Sequence, residues 1–317
     1  MANQLYIPKL NPVQFYWVSR PFPFGKNRYF IDEDWFSAQI PEYYQKIQYL
    51  QKWQTSDTIR LQIKANFGPI SWQVIDCTGQ LLKSGDFSIV TTNVVGQPYI
   101  YYQMELQCAD PDLKKGQIYL IINAGFGETV MQWISEPMEL GTRFPNTMLY
   151  TYKHSHNVLD VVFDTGIEFQ FRCESNLPPN LYTPGVTAKS YNDQNMNSVL
   201  ISATPFDQFT LSIGGSYGVP GWVIKKINFI FCCDYTDVEG LKLTKPEDSS
   251  WEVNKIDLYA MCGWKTEVRP AINKFSDSAD ETFNQQVTVV FNIDANVFGT
   301  FNDLPENNNI QIIDTIE

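Results

Sequence analysis

The sequence predicts a mostly β protein: two antiparallel, immunoglobulin-like β-sandwich domains, preceded by an extended arm and followed by a tail. Three observations predict it. Residues 58–65, Thr-Ile-Arg-Leu-Gln-Ile-Lys-Ala, alternate apolar and polar without a break, and Ile70-Ser-Trp-Gln-Val74 alternates again four residues later. Short runs of this kind, separated by turn residues, recur along most of the chain. No recognisable catalytic motif interrupts them.

Side chains on a strand point alternately to opposite faces. Ile59, Leu61 and Ile63 are therefore expected in a core and Arg60, Gln62 and Lys64 in water, with Asn66-Phe-Gly-Pro69 as a hairpin loop. Residues 40–142 supply further strands at Tyr43–Leu50, Gln80–Ser84, Tyr99–Leu106, Gln117–Asn123 and Val130–Glu136. The first of these is also compatible with a helix. Turns are expected at Asp76-Cys-Thr-Gly79 and Asp110-Pro-Asp112, the latter a turn with solvated carboxylates rather than a calcium loop. Residues 143–295 form the second domain, with strands at Met148–Tyr152, Ile167–Cys173, Phe209–Ile213, Trp222–Cys233, Trp251–Tyr259 and Val287–Ile293. Thr187 to Met196 is polar and reads as a long excursion.

Residues 1–39 are the arm: Pro8, Pro12, Pro21 and Pro23 exclude a helix. An extended segment cannot bury its own aromatics, so this one lies on its own domain or on a neighbouring subunit. Residues 296–317 are the tail. Phe15, Tyr16, Trp17, Phe22 and Phe24 of the arm, with Ile310, Ile312 and Ile313 of the tail, are the candidate subunit-interface residues.

The balance of 23 basic against 35 acidic residues, net −12, argues against broad binding to a phosphate backbone. No apolar run approaches the ~18 residues of a membrane span, and no signal-peptide pattern opens the chain. The six cysteines are expected reduced and mostly buried, Cys232-Cys233 lying on a strand. The only histidines, His154 and His156, cannot by themselves supply a three-histidine zinc site. Gly214-Gly-Ser-Tyr-Gly218 reads as a turn and not a phosphate cradle; sequence alone cannot pair Asp160, Asp164, Glu168 and Glu174, and Glu168 and Glu174 on one extended strand would stand ~20 Å apart, too far for glycosidase acid–base work. No catalytic residue, cofactor or metal is expected.

Several stretches resemble a family of virion structural proteins from tailed phages of Bacteroidetes hosts, including the crAss-like phages. They are Tyr43-Tyr-Gln45, Lys52 to Gln62, Ile75 to Gly79, Ile134-Ser-Glu-Pro137, Asn146 to Tyr152, Phe163 to Phe169, Phe171-Arg-Cys-Glu174 and Gly218-Val-Pro-Gly-Trp222. The resemblance covers about residues 43–260 and departs at Cys173, where an acidic or aliphatic residue is expected. It implies a virion component assembled in the host cytoplasm, as a subunit of a homo-oligomeric ring in the neck or tail. Its implied partners are copies of itself and the portal, neck and tail proteins. Genomic DNA would pass close by without specific contact, and no membrane is involved. The alternative is a carbohydrate- or cell-surface-binding sandwich that presents Trp53, Trp72, Trp133, Trp222, Trp251 or Trp264 as platforms.

Overall fold

The computed structural model describes residues 4–18, 49–90, 99–126, 129–178, 182–192, 194, 196–216, 218–247, 249–254 and 261–271. The structure is strand-dominated. In chain order the first strands are Leu5–Tyr6 (β1), Phe15–Val18 (β2), Gln51–Gln54 (β3), Thr58–Ala65 (β4), Ile70–Asp76 (β5), Leu81–Asp86 (β6) and Ser88–Val90 (β7). Ile100–Gln107 (β8), Gly116–Phe126 (β9), Thr129–Ser135 (β10) and Met138–Gly141 (β11) follow. One sheet runs β1-β4-β8-β7; the other runs β2-β10-β9-β11-β3, with β5 and β6 added along β9. Pairing is antiparallel except between β3 and β11.

These sheets enclose one core, in which Ile59, Leu61 and Ile63 of β4 meet Trp72 and Val74 of β5 and Leu120 and Ile122 of β9. The inward face of β4 is thus the one its alternation predicts. Its connection to β5 is not. β4 pairs with β8 while β5 pairs with β6 and β9, so Asn66 to Pro69 carries the chain from one sheet to the other instead of closing a hairpin. Burial of Phe67 and Ile70, with the Tyr102 hydroxyl donating to the Phe67 carbonyl at 3.1 Å, turns the chain through the core.

The predicted turns form where side chains supply their bonds. Asp76 Oδ1 accepts from the Thr78 and Gln80 amides at 2.9 Å each, and Asp110 Oδ1 from the Asp112 amide at 3.0 Å.

The second region contains Thr147–Lys153 (β12), Phe169–Asn176 (β13), Tyr182–Asn192 (β14), Ser198–Ile213 (β15), the helix Gly221–Ile230 (α1), Tyr235–Val238 (β16), Leu241–Thr244 (β17), Glu252–Asn254 (β18) and Gly263–Pro270 (β19). Strands β15, β13, β12, β16, β17 and β19 pair in that order, and β19 pairs back onto β15. The circuit is closed, where two facing sheets were expected. Tyr150, Tyr152, Phe169, Phe171 and Leu211 share its core with Val223, Ile227 and Ile230 of α1.

The helix replaces the strand expected at Trp222–Cys233. Its β-branched residues carry strand propensity, but Val223, Ile224, Ile227 and Ile230 fall at helical spacing and are buried on one side, so packing overrides propensity. Cys232 and Cys233 consequently sit in the turn after α1 and not on opposite faces of a strand. Only Cys108 and Cys173 are buried; Cys77 and Cys232 are exposed, Cys233 and Cys262 intermediate, and all six are free. The strand expected at Val287–Ile293 and most of Tyr43–Leu50 lie outside the described residues.

The polar face of β4 is not solvated as expected, because the second region covers it. Gln62 is fully buried: its side-chain amide donates to the Val162 carbonyl at 3.1 Å and accepts from the Val162 amide at 2.7 Å. Arg60 holds Glu105 and donates to the Glu168 carbonyl, and Lys64 reaches Asp160 at 2.5 Å. Asp57, buried in the β3–β4 turn, takes a bidentate bond from Arg172 of β13 at 2.7 and 2.9 Å. Charge-assisted, paired bonds are the strong kind, and here they fix one region on the other.

Candidate interaction site

Residues 8–13 run as a buried strap between the two cores. Leu10 enters the second core and Val13 the first. A strap of this kind has no neighbouring strand to pair with, so its carbonyls are taken by side chains. Lys226 Nζ donates to the Lys9 and Asn11 carbonyls at 2.6 and 2.5 Å, the Tyr152 hydroxyl to Leu10 at 2.5 Å, and Gln51 Nε2 to Pro12 at 3.1 Å. The Asn11 amide group in turn pairs with the backbone of Gln62 at 2.7 and 2.9 Å. Burial pushes the Lys226 amine down to about 7, and the Lys9 charge adds to that.

A concavity of about 680 Å³ is lined by Tyr49, Lys52, Glu174, Gly214, Gly215, Ser216 and Gly218. Burial raises Glu174 above the usual carboxylate range, while the Tyr49 hydroxyl donates to it at 3.0 Å. The glycine-rich run is a turn, as expected. Gly214 and Gly218 have φ of +102° and +75°, and a Cβ on either would come within 2.9 Å of the backbone of the 261–262 segment or of the turn itself. The glycines are explained by that close approach and need no ligand.

The most exposed apolar surface lies elsewhere, on β14 and β15. These strands pair from Tyr182↔Phe209 to Asn192↔Ser198, with a bulge between Lys189 and Ser190. Beyond the base of this two-stranded ribbon, nothing among the described residues covers either face. At the base, the Arg269 guanidinium stacks 3.6 Å over Phe206, Phe206 lies over Gly185, and Arg269 also donates to Gln208, which anchors the ribbon to β19. Directly paired residues share a face. Tyr182 with Phe209, Pro184 with Asp207, Val186 with Pro205, Ala188 with Ala203, and Ser190 with Leu200 therefore share one face, apolar apart from Asp207 and Ser190, with Val186 and Leu200 each 61% exposed. The opposite face carries Thr183, Gln208, Thr187, Thr204, Lys189 and Ser202, and is apolar at Phe206 near the base, under Arg269, and at Tyr191 and Val199 near the tip. The connection at the tip, Asn192 to Ser198, is polar apart from Met196.

The expected interface residues are placed only in part. Phe15, Tyr16 and Trp17 form β2, paired with β10, so this stretch of the arm lies on its own domain. Phe15 packs against the first core, the Tyr16 hydroxyl donates to Glu136 at 2.5 Å, and Trp17 is 58% exposed. Phe22, Phe24, Ile310, Ile312 and Ile313 lie outside the described residues. In the sequence the ribbon shows only as the polar excursion at Thr187 to Met196, because β14 contains Pro184 and Gly185 and packs on no core that would impose alternation.

The remaining candidates have structural partners. Glu168 pairs with Lys153, Asp160 with Lys64 and Asp164 with Asn157. The His154-Ser-His156 turn is tied to Asp234, whose pKa is lowered first by the Ser155 hydroxyl bond. Trp53 and Trp72 are buried, and Trp133, Trp222, Trp251 and Trp264 pack against the cores, so none of the six is an exposed platform. Among the described residues no three His, Cys, Asp or Glu side chains converge as a metal site, and no helix is long and apolar enough to cross a membrane. These features define a β-rich body that carries a projecting, amphipathic ribbon. No family model, curated protein or solved structure matches the chain.

Proposed function

We propose that this chain is a structural subunit of a tailed-phage virion, one copy in a homo-oligomeric ring of the neck or tail that joins portal and tail components around the DNA conduit. The observation that carries this reading is the ribbon: a two-stranded element cannot cover its own apolar face, and a projecting apolar face on a fixed body is the means by which subunits engage neighbours. The joint beneath it also fits. Asp57, Gln62, Asp164, Thr165 and Arg172, all within the stretches that resemble phage virion proteins, make or flank the bonds that fix the two regions together. A scaffold needs such fixity. The facing sheets of the first region are the part that an immunoglobulin-like sandwich would share. The net charge of −12 suits a wall past which DNA moves without adhering.

Native mass spectrometry of the full chain tests the reading. A closed series at a fixed multiple of 36.5 kDa, seen as rings by particle imaging, is the expected result. A monomer at every attainable concentration overturns it.

A further inference from the structure

Strands β6 and β7 are one continuous edge of the first region. Among the described residues β6 pairs only with β5 in one sheet and β7 only with β8 in the other, and buried Phe87 is the pivot between them. Among the described residues the outer side of Leu81 to Val90 therefore has no backbone partner along either sheet, with Leu81 49% and Ile89 66% exposed. Such an edge is a template for another strand. β14 pairs only with β15 among the described residues, so its other edge, 11 residues long, or ~36 Å at ~3.3 Å per residue, has no partner there. That length spans the β6–β7 edge from Leu81 to Val90.

We infer that the β14–β15 ribbon of one copy adds, through β14, to the β6–β7 edge of a second copy, setting Val186 beside Leu81 and Ile89. This deepens the assembly reading and rests on it. Charge favours a second copy over other occupants. The two strands of the ribbon carry one Lys and one Asp, Lys189 and Asp207, and are neutral on a chain of net −12, so copies meet there without the repulsion imposed elsewhere. Lys189 on the ribbon and Asp86 on the edge have no ion-pair partner among the described residues and are of opposite sign, whereas Lys83 is held by Asp110. The polar tip argues against insertion into a lipid surface. The edge contact, ~36 Å long and ~10 Å through the sheet, buries only ~700 Å² counted over both partners, well below a standard stable interface. A single contact is therefore weak. Because ribbon and edge are different surfaces, the contact is head-to-tail, and closure, in which every copy uses both, supplies the stability.

Val186→Asp and Ile89→Asp test this. Each variant alone is expected to be monomeric with an unchanged circular dichroism spectrum. Mixed in equal amounts they still form no ring, since only one intact ribbon meets one intact edge and that single contact is weak. A photo-crosslinking amino acid at position 186 in an otherwise unaltered chain, mixed with isotope-labelled copies, is expected to join residues 81–90 of another copy. Assembly of Ile89→Asp at the wild-type level, or crosslinks that map to a second ribbon or elsewhere, overturns the inference and leaves the assembly reading standing. A wild-type chain that never assembles overturns both.

Discussion

The side-chain amide of Gln62 forms the same two hydrogen bonds to the backbone of Val162 that a neighbouring strand would form, one hundred residues away in sequence. Replacing it by Leu leaves the Val162 amide and carbonyl unpaired in a dry site. Two buried unsatisfied groups at ~1–3 kcal/mol each predict a loss of ~2–6 kcal/mol for Gln62→Leu. Gln62→Glu keeps the acceptor, loses the donor and buries a charge, so it is expected to fare no better. Urea unfolding of both variants at a common m-value checks this.

Asp57 and Arg172 are both almost wholly buried, so removing one partner strands the other. Arg172→Met and Asp57→Asn are each expected to cost ~3–5 kcal/mol. Arg172 also reaches Thr147 and Glu239 at 3.3 Å each, so its loss is the larger of the two. Thermal unfolding of the single variants and their double-mutant cycle measures the coupling, which is near zero if the pair does not form.

Lys226 gives the protein a pH dependence of known sign. Its folded value of about 7 lies below the ordinary 10.5, so between these limits the unfolded chain holds a proton that the folded chain lacks. Stability therefore rises as pH rises from 7 towards 10.5, with a slope of at most ~1.4 kcal/mol per unit, and is at its lower level below 7. The carbonyls of Lys9 and Asn11 favour the charged amine and reduce that slope. Lys226→Met is expected to flatten the profile in this window and to destabilise at neutral pH, because both carbonyls lose their donor. Unfolding free energies at pH values of about 6, below the window, and about 8 and 9.5, within it, test the sign.

Gly214→Ala should cost ~1–3 kcal/mol, because its positive φ opposes the methyl group and the Cys262 carbonyl oxygen would lie 2.9 Å from the added carbon. Gly215→Ala, at φ +48° with open space around it, is expected to cost only ~1 kcal/mol. Thermal unfolding of the two variants compares them, and equal losses would show that the 261–262 segment does not approach so closely.

Thiol chemistry separates the cysteines. Cys77 and Cys232 are exposed and should react with a disulfide reagent at once, whereas burial pushes Cys108 up to about 12 and raises Cys173 further, so these two react only on unfolding. Counting fast and slow thiols before and after denaturant decides it.

Legibility followed the range of the interaction. The alternation of Ile59, Leu61 and Ile63 reports a local fact, which side of a strand meets apolar groups, and the turns at Asp76 and Asp110 close through bonds spanning two to four residues. Both were readable. The helix at Gly221–Ile230 was not, since its β-branched residues favour a strand until a core claims one helical face. Nor was the ribbon, whose residues answer to no core at all.

By itself the sequence determined strand content, the inward face of β4, and the placement of Asx turns and glycines, because these depend on neighbours within a few residues. Tertiary structure alone decided that Gln62 is buried, that β4 and β5 part into different sheets, that Lys226 holds a strap more than two hundred residues away, and that Val186 and Leu200 project uncovered. The reason is physical. A polar side chain reads the same whether water or a distant backbone satisfies it, and only the folded chain brings that backbone within hydrogen-bond reach.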